Sequence, residues 1–182
     1  MPKLKSSVRD AIAQLTMASS TDNSKTHVAL IGGGTIAPLH AESLLSSRSC
    51  LLTALVDPFP PPGQKLAAQL SVPYFASLQA LLSSETPNPE AYIICVPSSL
   101  HIQVATDVIT NGNPQAVLIE TPFCTDSRSG CRLLALAGAE SCQVLVGRHR
   151  RFHPSLVAAR NAIDHGKLGQ TPAITGTCPL DS

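Results

Sequence analysis

Tryptophan is missing from this sequence, and aromatic residues of every kind fill only 3% of its 182 positions. Proteins that grip single-stranded nucleic acid stack bases on aromatic rings, and protein-contact hot spots draw on Trp and Tyr. Both uses are thinly provided for. Charge is also sparse: Lys, Arg, Asp and Glu total 14% and leave a formal net charge of +1. No basic footprint therefore marks a surface for nucleic acid or for an anionic membrane. No apolar run approaches the ~20 residues of a membrane span. The six cysteines, at 50, 95, 124, 131, 142 and 178, form no Cys-x-x-Cys pair and stand at no zinc-ligand spacing from a histidine, so no metal is expected. Reduced thiols in a cytoplasmic protein are the expectation. Cys95 and Cys142 lie in apolar runs and read as small buried hydrophobes.

What is present is enough for one packed core, since 43% of the residues are hydrophobic. The first twenty positions carry Lys3, Lys5 and Arg9 among several serines. Asp10 and the lack of a strong basic face argue against a transit peptide. Leu4, Val8, Ile12 and Leu15 are spaced for a short amphipathic helix. The polar stretch 19–25 then reads as a linker. Beyond it, short apolar runs alternate with helical stretches. Strands are expected at 27–31, 51–56, 91–96, 116–119 and 143–146. Helices are expected from near Thr35 to 46, at 63–70 behind Pro60, Pro61 and Pro62, at 77–82 with Ser77 as cap, at 99–110, from Asp126 to about 138, and at 153–165. Residues 172–177 look like the start of another strand.

Alternation of this kind calls for an α/β fold, a doubly wound and mostly parallel sheet with helices on both faces. The continuous apolarity of 28–31, 93–96, 117–119 and 144–146 suits strands buried on both sides. We expect an extension and linker over 1–26, a Rossmann-type domain over 27–148, and a helix with a strand stub over 149–182.

Gly32-Gly33-Gly34-Thr35-Ile36-Ala37 fits Gly-x-Gly-x-x-Ala directly after the first strand. Gly32 permits the tight turn, Gly34 lets backbone approach a pyrophosphate, and Ala37 lets the helix pack on the strand. Backbone amides at the helix entry, including those of Thr35 and Ile36, then meet the phosphates. Asp57 ends the second strand about twenty residues on. A carboxylate there accepts hydrogen bonds from an adenosine ribose and repels a 2′-phosphate, which favours NAD over NADP.

Together these segments resemble the Gfo/Idh/MocA family, the glucose-fructose oxidoreductase and inositol dehydrogenase group. The resemblance runs from His27 to Thr177. It is carried by the Gly32 turn with His40, by Ala54-Leu55-Val56-Asp57-Pro58, and by Val72-Pro73-Tyr74-Phe75. It continues through Val96-Pro97-Ser98-Ser99-Leu100-His101, Glu120-Thr121-Pro122, and the run from Gly147 to Pro154. The Glu-Thr-Pro segment stands where the family has Glu-Lys-Pro, whose Lys is associated with catalysis near the nicotinamide. Thr121 keeps a hydrogen-bonding hydroxyl but lacks the ammonium charge. The resemblance further implies a second domain, of which this sequence would carry only the possible first strand, so a truncated protein is expected.

Loops after strand carboxyl ends border the cofactor crevice. Pro97, Ser98, His101 and Glu120 therefore join Gly32, Gly34, Thr35, Ile36 and Asp57 as expected cofactor-binding residues. Thr121, His101, Glu120, Arg151 and His153 are the catalytic candidates, in a His/Arg cluster with His149 and Arg150 that suits acid–base work or an anionic substrate. Arg150, Arg151 and His153 equally suit a capping role at this helix junction, and Cys124 reads as an inert thiol. Three functional readings are open. The chain is an NAD-binding oxidoreductase acting on a small molecule as a homo-oligomer or with a partner, a repurposed enzyme running dehydration, isomerisation or cyclisation, or a non-catalytic binding protein. The helix at 153–165, if uncovered, favours self-association.

Overall fold

Short runs of apolar residues with no polar alternation form the centre of the molecule, as a sheet covered on both faces requires. In the computed structural model, which describes residues 25–171 and 173–176, six strands make one parallel sheet. They are β1 (Thr26–Ile31), β2 (Cys50–Val56), β3 (Tyr74–Phe75), β4 (Ala91–Ile94), β5 (Ala116–Ile119) and β6 (Gln143–Val146), in the order β3-β2-β1-β4-β5-β6. Residues 1–24, where the amphipathic helix is expected, lie outside the described residues.

Helices α1 (Ala37–Leu45) and α2 (Pro60–Leu70) bury Ala41, Leu44 and Leu66 against one face of the sheet, with Val28, Leu30, Leu55 and Ile93. On the other face, α3 (Leu78–Leu82), α4 (His101–Gly112) and α5 (Ser127–Ala139) bury Leu81, Val108, Ile109 and Leu133 against Ile31, Val56, Ile94 and Ile119. Ser77 caps α3 as expected, its side chain accepting from the Ala80 amide, and Asp126 at the start of α5 accepts from the Ser129 amide. Helix α2 begins three residues earlier than expected because all three prolines fit inside its first turn, where amides have no helical acceptor.

The two-residue β3 was not anticipated. It pairs with Leu55 and Val56 of β2 and is too short to show a period. Strand β4 ends at Ile94 rather than 96, although the Cys95 amide still donates to the Ile31 carbonyl at 2.7 Å. Strand β6 corrects the expectation of burial on both faces. It is the sheet edge, and Val144, Leu145 and Val146 are only half-buried beside a groove of about 560 Å³. The last helix, α6 (Pro154–Asp164), buries none of its residues and leaves Leu156 and Val157 exposed. Residues 173–176 carry no strand, a correction to the expected one. Among the described residues no helix is long and apolar enough to cross a membrane.

Tyr92 of β4 is fully buried, its hydroxyl against Gly112 of α4 and with no hydrogen-bond partner among the described residues. Burial pushes its phenol up to about 12. An unpartnered buried hydroxyl costs ~1–3 kcal/mol. Tyr92→Phe is therefore expected to hold or raise the midpoint of urea unfolding. A loss above ~1 kcal/mol would mean that the hydroxyl is bonded after all.

Candidate functional site

Chain direction along the sheet fixes where a ligand can lie. After β1 the chain moves outward to β2 and β3, then crosses back to place β4 on the other side of β1. The loops after β1 and β4 diverge at that point and leave a crevice at the carboxyl ends of the strands. Gly32 lies there with φ +97°, and its amide donates to the Val56 carbonyl at 2.7 Å. A side-chain carbon on Gly32 would come within 2.9 Å of the Cys95 carbonyl. Ala37 is fully buried where α1 packs on β1. The helix opens at Ala37, not at Thr35, so residues 34–36 form the turn ahead of it. The amides of Gly34, Thr35 and Ile36 find no acceptor among the described residues. Three unpartnered donors at a helix entry are the arrangement that suits a pyrophosphate.

Asp57 closes the other side of the turn. It is 6% exposed; Oδ2 accepts from the Gly33 amide at 2.6 Å and Oδ1 from the Phe59 amide at 2.7 Å. Each oxygen keeps a second acceptor site for a sugar hydroxyl. The Tyr74 hydroxyl donates to the Asp57 carbonyl at 2.6 Å. Sequence reasoning left Gly33 without a role. A side-chain carbon there would meet Asp57 Oδ2 at 3.0 Å and Gly63 Cα at 3.1 Å. At Gly63 it would meet Asp57 Cβ and Tyr74 at 2.8 Å. Gly33, Gly63, Asp57 and Tyr74 therefore form one close-packed group that holds the carboxylate against the turn.

A second centre lies at the ends of β5 and β6. Glu120 Oε1 meets His40 Nε2 of α1 at 2.8 Å, and Oε2 accepts from the Thr121 amide at 3.0 Å. Burial works to raise the Glu120 carboxyl, but hydrogen bonds from His40 and the Thr121 amide overcome it, aided by the charges of His40 and His149. The net direction is downward. Gly147 packs directly on this carboxylate: a side-chain carbon there would come within 2.7 Å of Glu120 Oε1 and displace it. Past Glu120, a cavity of about 830 Å³ is lined by Thr121, Cys124, His149, Arg150 and Arg151, among others. The Thr121–Pro122 peptide is cis.

The structure thus brings Thr121 and Arg151 to one cavity, with His149, while Glu120 is bonded to His40 and the Thr121 amide and does not line it. His101 does not line this cavity. It is 2% exposed; its Nδ1 faces the Pro122 carbonyl at 2.7 Å and its Nε2 the Val96 carbonyl at 2.9 Å. Both nitrogens face backbone carbonyls, and the one N–H of a neutral ring can donate to only one of them. His153 caps α6, its Nδ1 accepting from the Ser155 amide at 3.3 Å. Pro97 and Ser98 are exposed on the loop after β4. Cys95 and Cys142 are buried, which raises both thiols, Cys142 to about 11. His40, 80 positions from Glu120, carried only a place in a motif and no role.

A glycine turn with open amides, an acid after the second strand and a crevice at the switch of strand order define a dinucleotide-binding α/β domain. The chain belongs to the Gfo/Idh/MocA oxidoreductase family with an NAD-binding Rossmann fold, whose family model matches residues 26–148. It is 27% identical over 149 residues to inositol 2-dehydrogenase of Rhizobium meliloti (strain 1021), covering 81% of this chain and 43% of that protein. Its fold matches the WlbA dehydrogenase from Bordetella pertussis, solved in complex with NADH and UDP-GlcNAcA, with a TM-score of 0.73 and 24% identity, covering 80% of this chain and 44% of that one. Scyllo-inositol dehydrogenase from Lactobacillus casei, solved with NAD(H) and scyllo-inositol, gives a TM-score of 0.71 at 21% identity, covering 80% and 43%. The chain spans less than half the length of the relatives it matches.

Proposed function

We propose that this chain binds NAD(H) in preference to NADP(H) and exchanges hydride with a small hydroxylated substrate at the crevice beside Thr121. The observation that carries this is the set of three amides, on Gly34, Thr35 and Ile36, without a partner among the described residues, next to the buried Asp57 carboxylate. The amides would hold the pyrophosphate, and the free acceptor sites of Asp57 the ribose hydroxyls. Preference for NAD has two supports. The Asp57 carboxylate repels a 2′-phosphate. Pro60, Pro61 and Pro62 at the entry to α2 remove the amide donors that an anion would use there.

A nicotinamide, when bound, supplies hydride exchange with a carbon that bears a hydroxyl. The protein's part is to orient that carbon and move the hydroxyl proton. Thr121 offers a neutral donor and acceptor where the family carries Lys, so it positions without charge. His149 lines the same crevice, half-buried, and is the group there able to take or return a proton. Relatives named for inositol suggest a polyhydroxylated substrate of that size. The exposed Leu156 and Val157 of α6 support self-association.

Calorimetry with the purified chain tests the reading. NADH is expected to bind at least about tenfold more tightly than NADPH, a difference of ~1.4 kcal/mol. Asp57→Ala is expected to weaken NADH by about tenfold and to narrow that gap. Absence of heat from both dinucleotides at millimolar levels would refute the assignment.

A further inference from the structure

The geometry points to the ring of Phe59 as the stacking surface for the adenine of the dinucleotide, an assignment that rests on the reading of the turn at 32–36 as a dinucleotide site. All six aromatic residues of the chain lie among the described residues. Tyr92 is buried, and Tyr74, Phe75, Phe123 and Phe152 are half-buried. Phe59 alone is exposed, at 70%. Leaving one large ring in water is unremarkable by itself. Its position gives it meaning.

Phe59 lies two residues after Asp57, and its amide donates to Asp57 Oδ1 at 2.7 Å. The same hydrogen bond therefore fixes the carboxylate and the backbone that carries the ring. On the other side Phe59 is followed by three prolines, whose φ angles are locked, and its carbonyl accepts from the Gly63 amide at 3.4 Å. The ring thus sits on backbone that has little freedom left to lose when a ligand arrives. Adenine is bonded to the ribose that Asp57 would hold, so the base must lie within one sugar's width of that carboxylate. An adenine needs a flat apolar neighbour more than a hydrogen-bond code, and an aromatic side chain offers one to any base. The exposed sequence neighbours Pro60, Pro61 and Pro62 add apolar surface and no charge.

Titrations with the full chain separate this proposal from the reading beneath it. Wild type and Phe59→Ala are compared by calorimetry with NADH, with ADP-ribose, and with reduced nicotinamide mononucleotide, which lacks the adenosine half. Phe59→Ala is expected to weaken NADH and ADP-ribose by roughly 5- to 100-fold and to leave the mononucleotide unchanged. Phe59→Trp is expected to keep the affinity. Because the chain has no tryptophan, that variant also carries a single indole, whose fluorescence ADP-ribose should quench. Unchanged ADP-ribose affinity in Phe59→Ala, or equal weakening of all three ligands, overturns the assignment while leaving the dinucleotide site intact. A change in self-association with ligand affinities unaltered overturns it in favour of a protein contact. Failure of wild type to bind any of the three overturns both readings together.

Discussion

Gly32→Ala is expected to destabilise the chain by about 2–5 kcal/mol, and Gly34→Ala to leave its stability within ~0.5 kcal/mol of wild type while abolishing dinucleotide binding. The two glycines are neighbours in one motif, yet their surroundings differ. At φ +97°, Gly32 occupies the left-handed region, where an L side chain is strained by ~1–3 kcal/mol. Its new methyl would also press on the Cys95 carbonyl at 2.9 Å. That carbonyl is backbone and cannot swing aside, so overpacking adds a similar amount. A carbon on Gly34 would meet nothing closer than the Cys95 oxygen at 3.8 Å, an ordinary contact, and its φ is not in the left-handed region. There the methyl matters only when a pyrophosphate comes close to the backbone. Urea denaturation read beside NADH titration checks both halves. A stable Gly32→Ala, or a Gly34→Ala that still binds NADH normally, would show that the turn does not work in this way.

That pair of glycines also marks how far sequence alone reaches. Gly32, Gly34 and Ala37 each have a reason set by local geometry, and local geometry is what a motif encodes. Strands β1, β4 and β5 were equally legible, because continuous apolar runs bounded by turn residues have few other homes. Gly33, Gly63 and Gly147 were silent for the opposite reason. Each packs against a partner outside its own local motif: Asp57 for Gly33, Asp57 and Tyr74 for Gly63, and Glu120 for Gly147. The strand β3 consists of two residues held by pairing with β2 and by the Tyr74 hydroxyl, neither of which leaves a periodic trace. His101 shows the limit most sharply. The topology put it on the correct edge of the sheet. Only the fold brings its two ring nitrogens against the Val96 and Pro122 carbonyls.

Removing Glu120 has the second large effect expected, because its carboxylate serves a buried histidine. His40 is 3% exposed, and its Nδ1 already lacks a partner among the described residues. In Glu120→Leu the Nε2 loses its acceptor at 2.8 Å as well, which leaves a buried ring with no hydrogen bond. A cost of about 2–3 kcal/mol follows. Glu120→Gln keeps an oxygen for His40 and removes the charge, so it separates the hydrogen bond from the titration. In the folded chain the Glu120 carboxyl lies below its ordinary value of 4.5; burial raises it, but the hydrogen bonds of His40 and the Thr121 amide and the charges of His40 and His149 outweigh that. A carboxyl lowered by folding contributes stability that is fully present above the unfolded value, and the contribution drains away as pH falls through the folded one. Wild type should therefore lose stability progressively as pH drops below about 4.5, and Glu120→Gln should lose less over the same range. Urea midpoints measured from pH 7 to pH 3 give the two slopes. Equal acid limbs in wild type and Glu120→Gln would mean that the carboxylate is not held by His40 and the Thr121 amide in solution.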